Sequence, residues 1–591
     1  MGVILGINMS GRDSSAAVVV DGAVHFAIRE ERLNLEKKTR RFPTLSIQAC
    51  LDAVGRRLEG VDRVGISWNP TLNLERLNSA QSGLARYKPE HFYAVPNHLL
   101  QLWPRETSSL AEQRLHFPSG VLEIVYVNHH ICHAADSFLQ SPFEEAAILI
   151  LDAYGEKDSV TFARGSGTRI EVLRTIPFPH SLGSFYGTMT QFLGFTPDLD
   201  EWKLMGASAY GDPARYYAAV RQMFFLREDG GFELDLSYFN YPTFSRPTMY
   251  SDKLVALLGP PRHREQDLEQ RHYDIAAATQ RVTEEVVFHL LHHLHVLVGG
   301  ENLCLGGGVA MNCVLNGKVA EHTPFRHVWI GSSPDDGGTS VGAALYLAAQ
   351  EPGFRREPTA DNYWGPGYEP LQIEAELRRY GLAYRLSAQP AREAAALIAS
   401  GRIVGWFQGR MEFGERALGN RSILADPRDA TMKDRVNRAI KYREAFRPFA
   451  PSILEEHAAE FFEGAHAVPF MEKALMIRKD RQPLIPAVTH ADGTGRLQTV
   501  RREVNPAFWA LIREFHALAG VPLVLNTSFN LQGEPIVCSP KDAIRTFFSS
   551  GLDALFLGPF VLFKPTLSEP RANHPVTTSA DRPPVLQPDG A

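Results

Sequence analysis

The chain has 591 residues, 44% of them hydrophobic and 22% charged, and a formal net charge of −6. That length exceeds what one hydrophobic core organises, so two or three domains of an ordinary soluble protein are expected. No basic excess exists to release counterions from a phosphate backbone, which argues against a nucleic-acid binder and makes any basic cluster a local site.

The opening MGVILGINMSGRDSS has neither a basic n-region nor a long apolar stretch, and no apolar run in the chain is long enough to span a bilayer. The five cysteines lack CxxC spacing and suit a reducing compartment, so a cytoplasmic protein without membrane partners is expected. Val3 to Ile7 and Ala16 to Val20 are β-rich runs separated by a polar stretch, and Asp21-Gly22 leads into Val24 to Ile28. This predicts a strand, a polar turn and a hairpin.

Next comes VNHHICHAADSF. His129 and His133 stand four apart, so on a helix both imidazoles project from one face and can share an ion, while His130 and Cys132 lie off that face. AAILILDAYGEKDSVTFARG reads as a second hairpin, with Asp152 ending an apolar strand where an unpartnered carboxylate is costly. Two histidines and a strand-end Asp form a mixed N/O set suited to Fe(II), Mn or Zn. The helical stretch TQRVTEEVVFHLLHHLHVLV repeats the histidine spacing at His289 and His293. There, Val286, Val287, Leu290, Leu291 and Leu294 define the buried stripe, which puts those histidines and Glu285 on a solvated face.

NLCLGGGVAMNCVLNGKVAE predicts a strand, the triple glycine Gly306 to Gly308 and a helix start, and IGSSPDDGGTSVGAAL places Asp335 and Asp336 before a small-residue helix. Either segment alone can be a tight turn or a helix start with acids at its positive end. Two hairpins plus a Gly-rich strand-to-helix turn are together the layout of a nucleotide cleft between two related α/β halves. The Pro/Gly-rich EPGFRREPTADNYWGPGYEP is the linker candidate, with a domain boundary near residue 360.

Between Gly409 and Pro451 the chain packs Arg410, Arg416, Arg421, Lys441, Arg443 and Arg447 among small residues and prolines. Guanidinium forks match phosphate and carboxylate in a bidentate way and Lys adds a movable charge, so this block suits a polyphosphate with a small acid. Phe413, Ala417, Leu418, Ile423, Phe446, Phe449 and Ala450 interrupt the charges, which argues for a shaped cleft over a solvated basic face. Residues 566–591, apolar-poor and Pro-rich, read as a disordered tail.

Taken in order, HHICHAADSF, LDAYGE, SLGSFYG, EWKLMGASAYGDP, LGGGVAMNCVLNGK, DDGGTSVGAA, the basic block and PLVLNTSFNLQGEPIV resemble the bacterial O-carbamoyltransferases that decorate nodulation factors and antibiotics. The resemblance covers the chain to about residue 564. It implies an actin/Hsp70-like (ASKHA) duplicated α/β domain over 1–360, similar to the tRNA-threonylcarbamoyl transferase. It also implies a YrdC-like α/β domain over 361–565, similar to the enzyme that makes threonylcarbamoyl-adenylate. In the C-terminal domain carbamoyl phosphate and ATP, with Mg²⁺, would give carbamoyl-adenylate by way of carbamate. Motif positions assign Arg416, Arg421, Lys441, Arg447, Arg496, Ser528 and Asn530 to the phosphates and the small acid. Lys441, Arg496 and Ser528 are the expected catalytic members, and Arg410 is expected among the binding arginines. In the N-terminal domain the resemblance implies Fe(II) on His129, His133, Asp152 and Asp336, with Gly307, Gly308 and Asn312 cradling the nucleoside. Asp336 is chosen over Asp335 by counting back from Gly342-Ala343-Ala344. The expected acceptor is the hydroxyl of a small natural product.

Three positions depart from the family pattern. Arg12 stands where a His is proposed to take the acceptor proton; arginine stays protonated and cannot be a general base, so either another group takes the proton, Asp13 being nearest in sequence, or the acceptor needs less help, or Arg12 itself acts by binding an anionic group of the acceptor or stabilising the departing AMP phosphate. Glu415 replaces a Pro beside the anion site, and Ala153 replaces a Gly. Two rival classes share these features: a tRNA threonylcarbamoylation-type transferase, disfavoured by the acidic balance, and a non-catalytic nucleotide-binding regulator, disfavoured by the intact metal and anion sets. Neither the acceptor molecule nor the oligomeric state is written in the sequence.

Overall fold

The computed structural model describes residues 2–9, 13–69, 110–118, 120–243, 247–441 and 447–564. Arg12, Arg443, Phe446 and the expected tail 566–591 lie outside the described residues.

The first sheet comprises β1 (Val3–Asn8), β2 (Ser15–Val20), β3 (Ala23–Arg29), β4 (Arg63–Ile66), β5 (Leu110–Phe117) and β6 (Gly120–Val127), in the order β3-β2-β1-β4-β6-β5. Asp21 and Gly22, at φ 52° and 91°, close the β2–β3 hairpin and pair Val20 with Ala23. This is the two-residue turn that Asp-Gly favours. Strands β1, β4 and β6 run parallel.

The second sheet repeats that plan. Strands β7 (Glu145–Leu151), β8 (Asp158–Ser166) and β9 (Arg169–Pro177) form an antiparallel meander, followed by a small hairpin of β10 (Phe224–Leu226) and β11 (Phe232–Leu234). Then β12 (Asn302–Gly306) and β13 (His327–Ile330) add in parallel, giving β9-β8-β7-β12-β13. An antiparallel meander extended by two parallel strands, built twice in the same order and polarity with only the antiparallel edge strand β5 added to the first copy, is the duplicated α/β architecture expected of the N-terminal region. Buried from Ala146 to Leu151, β7 has the uninterrupted apolar run of a strand covered on both faces.

The two sheets meet through the helices His129–Leu139 and Thr339–Ala348, which pack on each other between them. Small residues set the spacing. A Cβ on Gly6 would lie 1.8 Å from the Ser340 carbonyl oxygen, and one on Gly342 would lie 1.9 Å from that of Cys132. The helix Gln270–Val298 buries the expected stripe. His289 and His293 on it are half-buried rather than solvated: His289 Nε2 contacts the Arg227 carbonyl at 3.1 Å, and the His293 ring meets Phe162 edge-on.

The last sheet has nine strands: β14 (Arg385–Leu386), β15 (Val404–Phe407), β16 (Arg421–Ala425), β17 (Ala450–Leu454), β18 (Lys473–Met476), β19 (Thr494–Val500), β20 (Leu523–Ser528), β21 (Ala554–Leu557) and β22 (Phe560–Phe563). Their order is β14-β22-β21-β15-β16-β20-β17-β19-β18, with β15–β21 and β17–β19 parallel and the other pairs antiparallel. Helices Pro390–Ala399 and Pro506–Ala519 pack on each other and on this sheet, enclosing Trp406, Ile423, Phe508 and Phe515. The expected linker is pinned along its length: Thr359 N–H donates to Gln140 O, Ala27 N–H to Trp364 O and Gly365 N–H to Met411 O. Met411, Ala417, Ile536 and Cys538 enter the same apolar cluster as Leu5, Ile7 and Val18 of the first sheet. Among the described residues no helix is long and apolar enough to cross a membrane.

Candidate functional site

The helix that carries the two histidines is fixed at its first turn. The Asn128 side chain accepts from Ile131 N–H at 3.0 Å, and buried Glu156 accepts from the Asn128 amide at 2.7 Å, His129 N–H at 2.9 Å and Asn69 N–H at 2.7 Å. Acids and cap side chains at a helix N-terminus satisfy its orphan donors. Glu156 was missed in the sequence because its partners lie 28 and 87 residues away.

The structure brings His129, His133, Asp152 and Asp336 together. The two Nε2 atoms are 3.1 Å apart; Asp152 Oδ2 is 3.2 and 3.6 Å from them, and Asp336 Oδ1 is 3.5 and 3.7 Å away. His129 Nδ1 faces the Ser67 carbonyl at 3.1 Å and donates its proton there, so that Nε2, when it gives up its own proton to a cation, directs its lone pair into the cluster. Four lone-pair donors therefore converge. Atoms bound to one ion at about 2.1 Å stand roughly 3 to 3.5 Å from one another, close to the observed spacings, so the set fits a divalent cation. Burial opposes charge on both rings, but the hydrogen bonds they donate to Asp152 and Asp336 outweigh it, lifting His129 well above the usual imidazole range and raising His133. Burial also opposes the carboxylates, and the imidazoles hold Asp152 well below, and Asp336 below, the carboxylate range. The cluster demands positive charge. His130 turns away to Thr161 Oγ1, and Asp335 goes to Arg29 at 2.6 Å.

Gly307, at φ 87°, passes so close to β7 that a Cβ would lie 2.3 Å from Leu151 O, and Gly308 N–H donates to Asp152 Oδ1 at 3.2 Å. The glycine turn thus braces a member of the cluster. Asn312, expected in the nucleoside cradle, instead exchanges two hydrogen bonds with Gln280 and accepts from Leu315 N–H, so both ends of its amide cap and tie helices. Asp13 is likewise redirected. It is buried at φ 76°, held by Lys38 at 2.9 Å and Arg29 at 3.4 Å, while burial pushes its carboxyl up to about 6. That arrangement is an ion-pair member rather than an accessible base. Glu415 completes the network, 2.8 Å from Lys38 and 3.5 Å from Arg29.

The basic block divides into two uses. Arg416, Lys441, Arg447, Arg496, Ser528 and Asn530 line one cavity of about 520 Å³, the size of a small-molecule site. Lys441 Nζ donates to Ser528 O, Asn530 O and Asn530 Oδ1 at 2.6, 3.0 and 2.6 Å. Among the described residues the side chains of Arg416 and Arg496 make no hydrogen bond or ion pair. Burial, followed by Arg416, lowers Arg496 to about 9. Unpaired guanidiniums gathered in a cavity favour an anion. Arg421 and Arg410 do not join them. Fully buried Arg421 donates to the carbonyls of Gln408, Gly409, Asn420 and Pro366 and lies over the Phe407 ring at 3.6 Å. Arg410 donates to the carbonyls of His25, Trp364 and Gly365. Turns rich in outward-facing carbonyls claim both, and charge count alone does not reveal that. The cavity wall also takes Lys38, Trp202, Lys203 and Cys313 from the N-terminal half.

The sequence profile described as carbamoyltransferase N-terminus matches residues 3–345, and the one described as carbamoyltransferase C-terminus matches residues 395–564. The chain belongs to the carbamoyltransferase family. It is therefore a transferase enzyme. An uncharacterized protein of Synechocystis is 39% identical, with 95% of this chain and 96% of that protein covered. Nodulation protein NolNO of Sinorhizobium fredii is also 39% identical, with 94% and 79% covered. Among solved structures, component A of (R)-2-hydroxyglutaryl-CoA dehydratase from Acidaminococcus fermentans gives a TM-score of 0.31 at 13% identity, covering 59% of this chain and 100% of that one. HypF of T. kodakarensis gives 0.29 at 13% identity, covering 59% and 47%.

Proposed function

We propose that this carbamoyltransferase is an ATP-dependent O-carbamoyltransferase working in two stations, activation in about residues 361–565 and transfer in about residues 1–360. The observation that carries the reading is the cavity in which Arg416 and Arg496 stand unpaired beside Lys441 and Arg447. There carbamoyl phosphate and water give carbamate and phosphate. A carbamate oxygen then attacks the α-phosphorus of ATP, forming carbamoyl-adenylate and releasing pyrophosphate. The guanidiniums hold the phosphate oxygens and the charge that develops on them, Lys441 adds its positive charge from the cavity wall, and Mg²⁺ is expected on the polyphosphate. Ser528 and Asn530, tied to Lys441, fix that ammonium in place.

In transfer, an acceptor hydroxyl oxygen bonds to the carbamoyl carbon, the carbon–oxygen bond to AMP breaks, and the hydroxyl proton passes to solvent. His129, His133, Asp152 and Asp336 would hold the ion, which we assign as Fe(II); when bound it supplies Lewis-acid charge stabilisation. Ser67 and Glu156 hold His129 in the required tautomer and direction. The acceptor is a small molecule, and we place the protein in the cytoplasm acting on a natural product.

The test is pyrophosphate release from ATP by the purified protein with Mg²⁺, with and without carbamoyl phosphate. Dependence on carbamoyl phosphate is expected; release that ignores it, or none from folded protein, overturns the activation step. Candidate alcohols are then screened by mass spectrometry for the gain of a carbamoyl group, and anaerobically purified protein is analysed for iron.

A further inference from the structure

The loop 413–416 comes from the C-terminal half and is seated in the N-terminal half. Phe413 is buried among Val127, Ile131 and Val341, a Cβ on Gly414 would lie 2.2 Å from Ser332 O, and the Gly414 carbonyl accepts from the Arg32 guanidinium at 3.2 Å. On the far side, Ala417 O accepts from the Asn526 amide at 3.1 Å and Leu418 N–H donates to Glu412 at 2.7 Å, both contacts within the C-terminal half. Between these anchors stand two charged side chains with different tasks. Arg416 lines the basic cavity, whereas Glu415, at the cavity's border, meets Lys38 Nζ at 2.8 Å and Arg29 Nη1 at 3.5 Å. We propose that Glu415 is a positioning residue for anion binding in the activation station: its ion pairs with Lys38 and Arg29 hold the loop on the N-terminal half so that Arg416 presents its guanidinium to the cavity. This rests on the reading of that cavity as the activation station.

On charge alone a carboxylate beside an anion site is a liability, because it repels the ligand that the guanidiniums attract. The ion network removes most of that repulsion. Burial opposes ionisation of Glu415, but Lys38, then Arg29 and Arg416, outweigh it and hold the group well below the carboxylate range. The two cations are themselves fixed from behind. Lys38 lies 2.9 Å from Asp13, and Arg29, fully buried, lies 2.6 Å from Asp335 and 3.4 Å from Asp13. Asp13 and Lys38 both hold positive φ, 76° and 51°, a conformation that side-chain-bearing residues keep where their surroundings impose it. Glu415 therefore docks on a preset pair of cations, and the backbone it fixes is the one that carries Arg416. Removing its charge has two effects of opposite sign. Relief of repulsion tightens anion binding, whereas a loop that shifts takes the Arg416 guanidinium away from the anion and weakens it. The second effect is the larger, since a lost charge-assisted hydrogen bond costs about 10- to 100-fold in affinity and the repulsion is already neutralised by two neighbouring cations.

A double-mutant cycle on the full chain tests this, with the parent, Glu415→Ala, Arg416→Ala and the double variant compared by calorimetric binding of inorganic pyrophosphate and by steady-state pyrophosphate release. Glu415→Ala is expected to weaken pyrophosphate binding about tenfold and to raise KM for ATP or carbamoyl phosphate to match, while kcat changes less than about threefold. With Arg416 already replaced, the same substitution is expected to weaken binding less than about twofold. Tighter or unchanged binding by Glu415→Ala overturns the proposal, and so does an equal loss in both backgrounds, which would show that Glu415 does not act through Arg416. Should the alanine variant fail to fold, Glu415→Gln, which keeps the shape and loses the charge, replaces it in the cycle with the same outcomes. A parent that binds pyrophosphate but releases none from ATP and carbamoyl phosphate defeats the activation reading, while the binding cycle still decides this inference. A parent that binds no pyrophosphate overturns both.

Discussion

Arg496 and Arg421 carry the same side chain and face opposite tasks. Arg496 is half-buried with no partner among the described residues, whereas Arg421 is saturated by four carbonyls and an aromatic face. Arg496→Ala is expected to lower kcat/KM for pyrophosphate release by about 10- to 100-fold with little change in Tm, since a charged hydrogen bond contributes about 1.5–3 kcal/mol. Arg421→Leu is expected to lower stability by about 2–4 kcal/mol in denaturant unfolding, because it strands buried carbonyls. If Arg421→Leu kept full stability and instead lost ATP binding, the division of the basic block drawn above would be wrong. Asp136 gives a pH prediction. Burial pushes its carboxyl up to about 8, so between about pH 4 and pH 8 the folded chain keeps a proton that the unfolded chain releases. Stability from this group therefore falls as pH rises through that window. Asp136→Asn does not titrate, and its stability relative to the parent should climb from pH 5 to pH 8; urea midpoints that track in parallel would remove the effect.

At the scale of elements, the glycine contact between two helices bears on the His/Asp cluster, the candidate metal site. The helix His129–Leu139 carries both imidazoles, the helix Thr339–Ala348 follows directly on the turn that bears Asp336, and the two cross where Gly342 meets Cys132 O. Helices this close cannot admit a methyl without moving apart, and overpacking of this kind costs roughly 1–3 kcal/mol. Gly342→Ala is expected to weaken Co²⁺ binding at the cluster, read by visible absorption, together with a lower Tm. Unchanged Co²⁺ affinity in a destabilised variant would show that the crossing does not set the ligand spacing.

Across the whole molecule the metal cluster and the basic cavity are built from different elements, one between the two repeated sheets and the other between the nine-stranded sheet and the helices Glu201–Ala207 and Cys313–His322. This separation predicts separable half-reactions. After chelation and restoration of Mg²⁺, carbamoyl-phosphate-dependent pyrophosphate release should persist while transfer to an acceptor is lost, and added Fe²⁺ should restore transfer. Loss of both together would join the two stations into one.

Local pattern alone reached the hairpins, the histidine pair on one helical face, the strand-end Asp152 and the buried stripe of the long helix, because period, turn chemistry and spacing within one element are encoded over a few residues. Family order added Asp336, which spacing could not distinguish from Asp335; the structure turns one carboxylate to the histidines and the other to Arg29. Which arginines face a cavity and which serve carbonyls, and why Asp13 and Glu415 are locked in one ion network, were decided only by the tertiary structure. Those facts depend on partners far apart in the chain, and a charged side chain carries no local mark of the group it will meet. The sequence determined the inventory of charges and the frame that holds them, while packing decided which charges were left free to act.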